Sequence, residues 1–483
     1  MGQTRLLAWT GLAVIAAAAL WHNVPRLSPG LFDWAEPGNV AAALAEGRGF
    51  SDPFDGGTGP TAWVSPLPVW VEAAVFLALG VKTAASAKAM LVLAVLGLAG
   101  ANALLASALA PYGAWMRLAA SAAFLAGCAL LPGGPLEILS EAWLDLLLSA
   151  ALFWAVLETS RVGSTRGAAA LAGVAFAAPL ENAGLTVSVG LVIMALAWIR
   201  RGDLRRLAVP AAAAALAAVS VGCWTARNAL VLHRLVPLKS NSWFELHLAN
   251  VDSPDGLPRM ETVLRRLPYF DAGEFNRYAG LGEMAYVESF RAPALASLRS
   301  DPLHFAGNVM RRLGAAVVFC KREGGGRPTS FAFSPGDAAR LSAAGELIAM
   351  GPGRALWTRI DAPPSAEYQT LHSLGLRDAR GVWLDWMEKR LAFDAEFRGP
   401  AGLSLGFLTA GVPLIALLLS AVLLGGRLAP PAAWAAAIAA GMLLPFVLVN
   451  HNERHQLPLV AMQAVAIGAL AQAARMRFRP GSP

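Results

Sequence analysis

Apolar residues gather in ten long runs, at 6–20, 89–110, 117–131, 138–157, 167–180, 183–199, 207–225, 402–424, 431–449 and 457–474. With their flanks these approach the roughly 20 residues a helix needs to cross a bilayer. Residues 21–88 stand between the first two runs, short polar turns separate the second to the seventh, and a long polar interval precedes the last three. The run at 67–80 is shorter and carries Glu72, so it reads as an interfacial or re-entrant helix. The pattern predicts an all-α polytopic membrane protein of about ten transmembrane helices. Juxtamembrane helices are expected in the first outer loop, and a mainly helical extracytoplasmic domain in the long interval.

Basic clusters set the sidedness. Arg200, Arg201, Arg205 and Arg206 fall in one turn, Arg161 and Arg166 in another, and Arg475, Arg477 and Arg479 in the tail. Lys and Arg stay on the cytoplasmic side, so all three clusters are expected there. Counting spans back from them places 31–68, 132–141, 227–400 and the turn near 450 outside, with both termini inside. The division is then 1–226 for an N-terminal membrane module with its first outer loop at 24–66, 227–400 for the extracytoplasmic domain, and 401–483 for the last helices.

Composition agrees. Hydrophobic residues make up 56% of the chain and charged ones only 15%, with a mean hydropathy of +0.52. Soluble domains are nearer a quarter charged. The net charge of +7 reports topology rather than nucleic-acid binding. Cys128, Cys223 and Cys320 have no metal spacing and form no disulfide framework. The first run starts with only Arg5 and offers no small-residue cleavage site before Pro25, so it is expected to remain as a helix.

Within the long interval, helical spacing recurs in PRMETVLRRL, EFNRYAGLGEMAYVESFRAPALASLRS and PLHFAGNVMRRLG. Further helices are expected at GDAARLSAAGELIAM and VWLDWMEKRLAF, after a loop at KREGGGRPTS.

The loop at 31–68 carries both charge and turn chemistry. Asp33 and Glu36 open a helix-forming run that Asn39 or Asp33 could cap. Gly47 and Gly49 stop it, and Asp52, Asp55 and a proline-rich stretch follow. Three more polar patches fall on the same predicted face: Glu137, Glu141 and Asp145; then Arg227, Asn228, Lys239, Ser240 and Asn241; then His451, Glu453, Arg454 and His455. Carboxylates able to take a proton and cations able to hold phosphate therefore share one side. Moving a sugar from a lipid phosphate needs that pair: a base for the acceptor hydroxyl and positive charge for the departing phosphate.

FDWAEPGNVAAALAEGRGF followed by GPTAWVSPLP resembles the first outer loop of GT-C-type membrane glycosyltransferases, the superfamily of protein O-mannosyltransferases and aminoarabinose transferases with many bacterial members. Ala41, Leu44, Gly47, Gly49 and Phe50 match the family pattern, and this register puts the catalytic acid at Asp33. The family's usual tyrosine falls on Pro37 and its second acid on Trp34, so Asp33 and Glu36 both stay open as the base. WTARNALVLHRLVPLKSNSWFELHLAN is similar to the Trp-Thr-x-Arg-Asn segment of the family, and ERHQLP to its final motif. The span near Pro179 lacks the Arg-Pro common there.

The resemblance implies an inverting transferase at the outer face of a bacterial cytoplasmic membrane, using a polyprenyl-phosphate sugar donor and a glycan, lipid or protein acceptor. Asp33 would be the base and Glu141 a second acid. Arg227, with Asn228 beside it, and Lys239 would hold the phosphate, and Arg454 would assist. The acids permit Mg²⁺ or Mn²⁺ with water completing the shell, and nothing demands either. A transporter or lipid-linked sugar flippase is the alternative. It would call for mid-bilayer charge and two similar halves, neither of which is evident in the sequence. A non-catalytic scaffold displaying 227–400 would tolerate replacement of Asp33 and Arg227.

Overall fold

A computed structural model describes residues 2–23, 35–54, 56–130, 142–160, 164–253, 255–258, 262–263, 266–268, 272–318, 329–331, 346–350, 354–358, 412–450 and 453–477. In chain order its helices begin with α1 (Gly2–Asn23), α2 (Ala35–Ala45), α3 (Pro66–Leu79), α4 (Ala84–Ala108), α5 (Ala114–Leu130) and α6 (Ala142–Ser160). α7 (Thr165–Glu181), α8 (Ala183–Ile199) and α9 (Leu204–Leu232) complete the first half. Then come α10 (Ser242–Asn250), α11 (Ala272–Leu281), α12 (Glu283–Glu288), α13 (Arg291–Ser300) and α14 (Pro302–Val318). The last three are α15 (Val412–Leu423), α16 (Ala429–Leu448) and α17 (Val460–Arg477).

Helices stand at all ten predicted positions. Five of the described helices are long and apolar enough to cross a membrane: α4, α6, α9, α16 and the segment Leu457–Arg477 containing α17. Of the other five positions, α1, α5, α8 and α15 hold shorter apolar stretches, as does α3, and α7 is a 17-residue helix. α5 packs on α17, α8 on α16, α4 on α6 and α1, and α7 on α6 and α9.

Helix ends follow from local chemistry. Thr83 accepts a hydrogen bond from the amide of Ser86 to cap α4, Asn182 caps α8 through Gly184, and Asp203 caps α9 through Arg205 and Arg206. Each side chain satisfies an amide the first turn leaves orphaned.

One end of the bundle is basic. Arg200 donates to the carbonyl of Thr159, tying the end of α6 to the α8–α9 turn, and Arg475 lies over the Trp115 ring at 5.2 Å. At the other end Asn182 donates to Asp145 at 3.1 Å, and Asn450 to Glu245 at 2.5 Å.

Several expectations need correction. Asn39 does not cap α2, because the helix starts four residues earlier, at Ala35. Its amide instead donates to the Pro53 carbonyl at 3.0 Å and accepts from Lys82 at 2.6 Å. The run at 67–80, by contrast, is helical as expected: it forms α3, with Pro66 and Pro68 in the first turn, where a missing N–H does no harm. The boundary at 226/227 cuts α9, which runs on to Leu232 and ends at His233 in the left-handed region (φ 55°). The helical run starting at Glu274 breaks at Gly282 (φ 74°).

The expected helix at GDAARLSAAGELIAM ends in a strand among the described residues. β1 (Thr329–Phe331), β2 (Glu346–Met350) and β3 (Arg354–Thr358) form an antiparallel sheet in the order β1-β3-β2. VWLDWMEKRLAF lies outside the described residues.

Candidate functional site

The first outer loop is a folded unit. Ser51 and Pro60 form an antiparallel bridge. Within it the Asp52 amide donates to the Gly59 carbonyl at 2.9 Å, and the Gly59 amide donates to Asp52 Oδ1 at 2.8 Å. Asp52 has φ 62°, a left-handed conformation that Asp tolerates better than most residues. Its other oxygen pairs with Arg48.

Arg227 fastens this loop to α9. Its Nη1 donates to the Thr61 carbonyl at 2.6 Å and to Asn228 Oδ1 at 2.9 Å. Its Nη2 donates to the Phe50 carbonyl at 2.8 Å. The guanidinium also stands 5.2 Å from the Phe50 ring centroid and 5.1 Å from that of Trp224. Asn228 is buried and donates to the Val236 carbonyl at 2.8 Å, while the Trp224 indole donates to the Leu238 carbonyl at 2.9 Å. WTARN is thus a local framework that holds its own exit turn as well as the first loop.

Behind Thr61 lies a buried carboxylate that sequence reading missed. Glu283 accepts from the Thr61 hydroxyl, from the Ala62 amide at 2.7 Å and from the Tyr278 hydroxyl at 2.7 Å. The break at Gly282 turns it inward. Burial, and then the nearby Glu283 carboxylate, push the Tyr278 phenol well above its usual range, so it stays a neutral donor. Phe54, Trp63, Tyr278 and Tyr286 pack edge-on or tilted around the carboxylate's partners, with centroids between 4.8 and 6.4 Å apart. The available signal was Gly-Leu-Gly-Glu, a glycine break directly before an acid in an otherwise helical run.

The remaining predicted residues fall as follows. Glu36 is in the first turn of α2 and half-buried. Lys239 is exposed on the turn after α9. Arg454 belongs to a short 3₁₀ turn, Glu453–Leu459, that packs against α6 and α16. Asp33, Glu137 and Glu141 lie outside the described residues. Asp145, Glu181 and Glu72 are buried carboxylates on α6, α7 and α3, and α7 packs against both other helices.

Among the described residues no group of three or more His, Cys, Asp or Glu is arranged to hold a metal ion.

No protein-family model matches the chain, and no curated protein does. Among solved structures it is similar to ArnT from Cupriavidus metallidurans in the apo state, at 14% identity and a TM-score of 0.35, over 98% of this chain and 78% of that one. It is also similar to the same protein bound to undecaprenyl phosphate, at 14% identity and a TM-score of 0.33 over the same shares. A likeness of that size says nothing of the reaction.

Proposed function

We propose that this protein is a GT-C-type membrane glycosyltransferase. In this reading it moves a sugar from a polyprenyl-phosphate donor to an acceptor at the outer face of the cytoplasmic membrane, with the basic end of the bundle toward the cytoplasm. One contact carries the reading: Arg227 of the WTARN segment bonded to the Phe50 and Thr61 carbonyls, 177 and 166 residues away. These are two segments that the sequence resemblance assigns to one cleft.

The reaction runs as a single displacement. The carboxylate of Asp33 or Glu36 takes the proton of the acceptor hydroxyl, whose oxygen attacks the anomeric carbon from the face opposite the phosphate. The bond from that carbon to the phosphate oxygen breaks, the electron pair leaves with polyprenyl phosphate, and the configuration inverts. Lys239 and Arg454 supply charge to the leaving phosphate, and Glu141 orients the acceptor. Arg227 has a different part from the one the resemblance implies. Both its terminal nitrogens are engaged by first-loop carbonyls, so it positions the loop that carries the base.

The test is transfer in proteoliposomes from a polyprenyl-phosphate sugar, read as released polyprenyl phosphate. Either Asp33→Asn or Glu36→Gln should lower the rate at least about 100-fold, the usual contribution of a general base. Full activity in both variants ends the reading.

A further inference from the structure

α14 is built inside out for a helix in water. Asn308, Arg312 and Ala316 recur every four residues, and all three are fully buried. Arg312 donates from Nε to the Val447 carbonyl at 2.7 Å. Its terminal nitrogens donate to Leu448 O at 3.2 Å, Gly256 O at 3.2 Å and Asn250 Oδ1 at 3.3 Å. Val447 and Leu448 end α16, and the negative end of that helix offsets the buried cation.

The opposite face is apolar and open. Leu303 is 83% exposed and Met310 63%, with Ala306 and Leu313 exposed on the same stripe. A helix lying on a protein in water turns these two faces the other way. Arg311 is exposed too, so a cation flanks the stripe. α14 packs on α15 and α16, where Ile415, Leu418, Leu444 and Leu448 are also exposed. The apolar stripe thus continues the outward surface of two membrane helices.

We infer that α14 lies in the membrane interface, with Leu303, Met310 and Leu313 in the acyl boundary and Arg311 at the lipid phosphates. An outward apolar face with basic flanks is what an interfacial helix presents, and anionic head groups complement Arg311. The polar interval is then seated on the bilayer rather than held free of it. Arg312 ties that seat to the end of α16, next to the turn that carries Arg454.

The test uses the full chain in nanodiscs of anionic phospholipid, with Cys223→Ser and Cys320→Ser so that labelling is confined to the probe site. Met310→Cys carries a small fluorophore, quenched either by lipid spin-labelled near the head of the acyl chain or by aqueous iodide. Lipid should quench several-fold more strongly than iodide at Met310→Cys, with the reverse order at Arg299→Cys on exposed α13. Stronger quenching by iodide at Met310→Cys overturns the inference. So does shielding from both quenchers, which would mean another protein surface covers the stripe. Should Met310→Cys fail to fold, Leu313→Cys reads the same face.

Discussion

Arg227 holds the carbonyl of Thr61 at 2.6 Å across 166 residues of chain, and the same guanidinium takes Phe50 from the other side of the loop. A planar fork reaches two carbonyls at once, whereas an ammonium on a flexible stem is a single point. Arg227→Lys should therefore lose about 2 kcal/mol of stability, the order of one charge-assisted hydrogen bond. Thermal unfolding in detergent reads this. In transfer assays the variant should lower kcat with both substrates saturating. A rise confined to the donor KM would instead return Arg227 to direct phosphate binding.

Glu283 supplies the second fastening of the same loop. Oε2 accepts from Thr61 and Tyr278 and Oε1 from Ala62, whereas an amide side chain has only one accepting oxygen. Glu283→Gln should leave a buried donor facing a donor, which costs about 1–3 kcal/mol. Limited proteolysis should then cut within 46–61 far faster than in the parent protein. An unchanged cleavage rate would show that Arg227 alone holds the loop.

The apolar helices were legible because hydropathy is local: each run reports its own environment without reference to any partner. Arg227 was legible as a residue through WTARN, but its role was not. That role depends on the path of residues 46–61, which is set by left-handed Asp52 and its bonds to Gly59. Glu283 was invisible for a related reason. An acid in a helical run normally faces water, and only the turn at Gly282 sends this one inward. Glu346–Met350 read as helix because ELIAM suits either period. Its pairing with β3, Glu346 opposite Thr358 through Met350 opposite Arg354, decides for strand, and no local signal contains that partner.

Asp252, just past α10, makes an acid-sensitive joint with Arg266. Burial acts to raise its carboxyl, but hydrogen bonds from His247 and Arg266 outweigh this and hold it below the ordinary 3.8. Arg266 grips it through two nitrogens, at 3.1 and 2.9 Å. With the folded value depressed, the ionised group stabilises the fold above the unfolded value. That contribution is lost as pH falls from about 3.8 through the lower folded value. Asp252→Asn should be less stable than the parent at neutral pH and should show a flatter acid limb. Parallel acid limbs in the two unfolding profiles would mean that the carboxylate's bonds contribute nothing to stability.

The contact between α8 and α16 leaves little room for added atoms. Small residues let the two backbones meet, as in closely packed membrane helices. The Ser188 hydroxyl donates to the Ile438 carbonyl at 2.7 Å across that seam. A Cβ on Gly441 would stand 2.5 Å from the Ser188 Cα and 2.6 Å from its nitrogen, and one on Gly184 would collide with the Met442 carbonyl oxygen. Both obstacles are backbone, so no rotamer change relieves them and the helices must separate. Gly441→Ala should cost about 1–3 kcal/mol, the usual penalty for overpacking. Gly173→Ala on neighbouring α7, where nothing lies within 4 Å of the added carbon, should be neutral or slightly stabilising, because alanine favours helix. Unfolding midpoints of the two variants in one detergent separate these outcomes, and equal values would show that α8 and α16 are not closely packed in the folded protein.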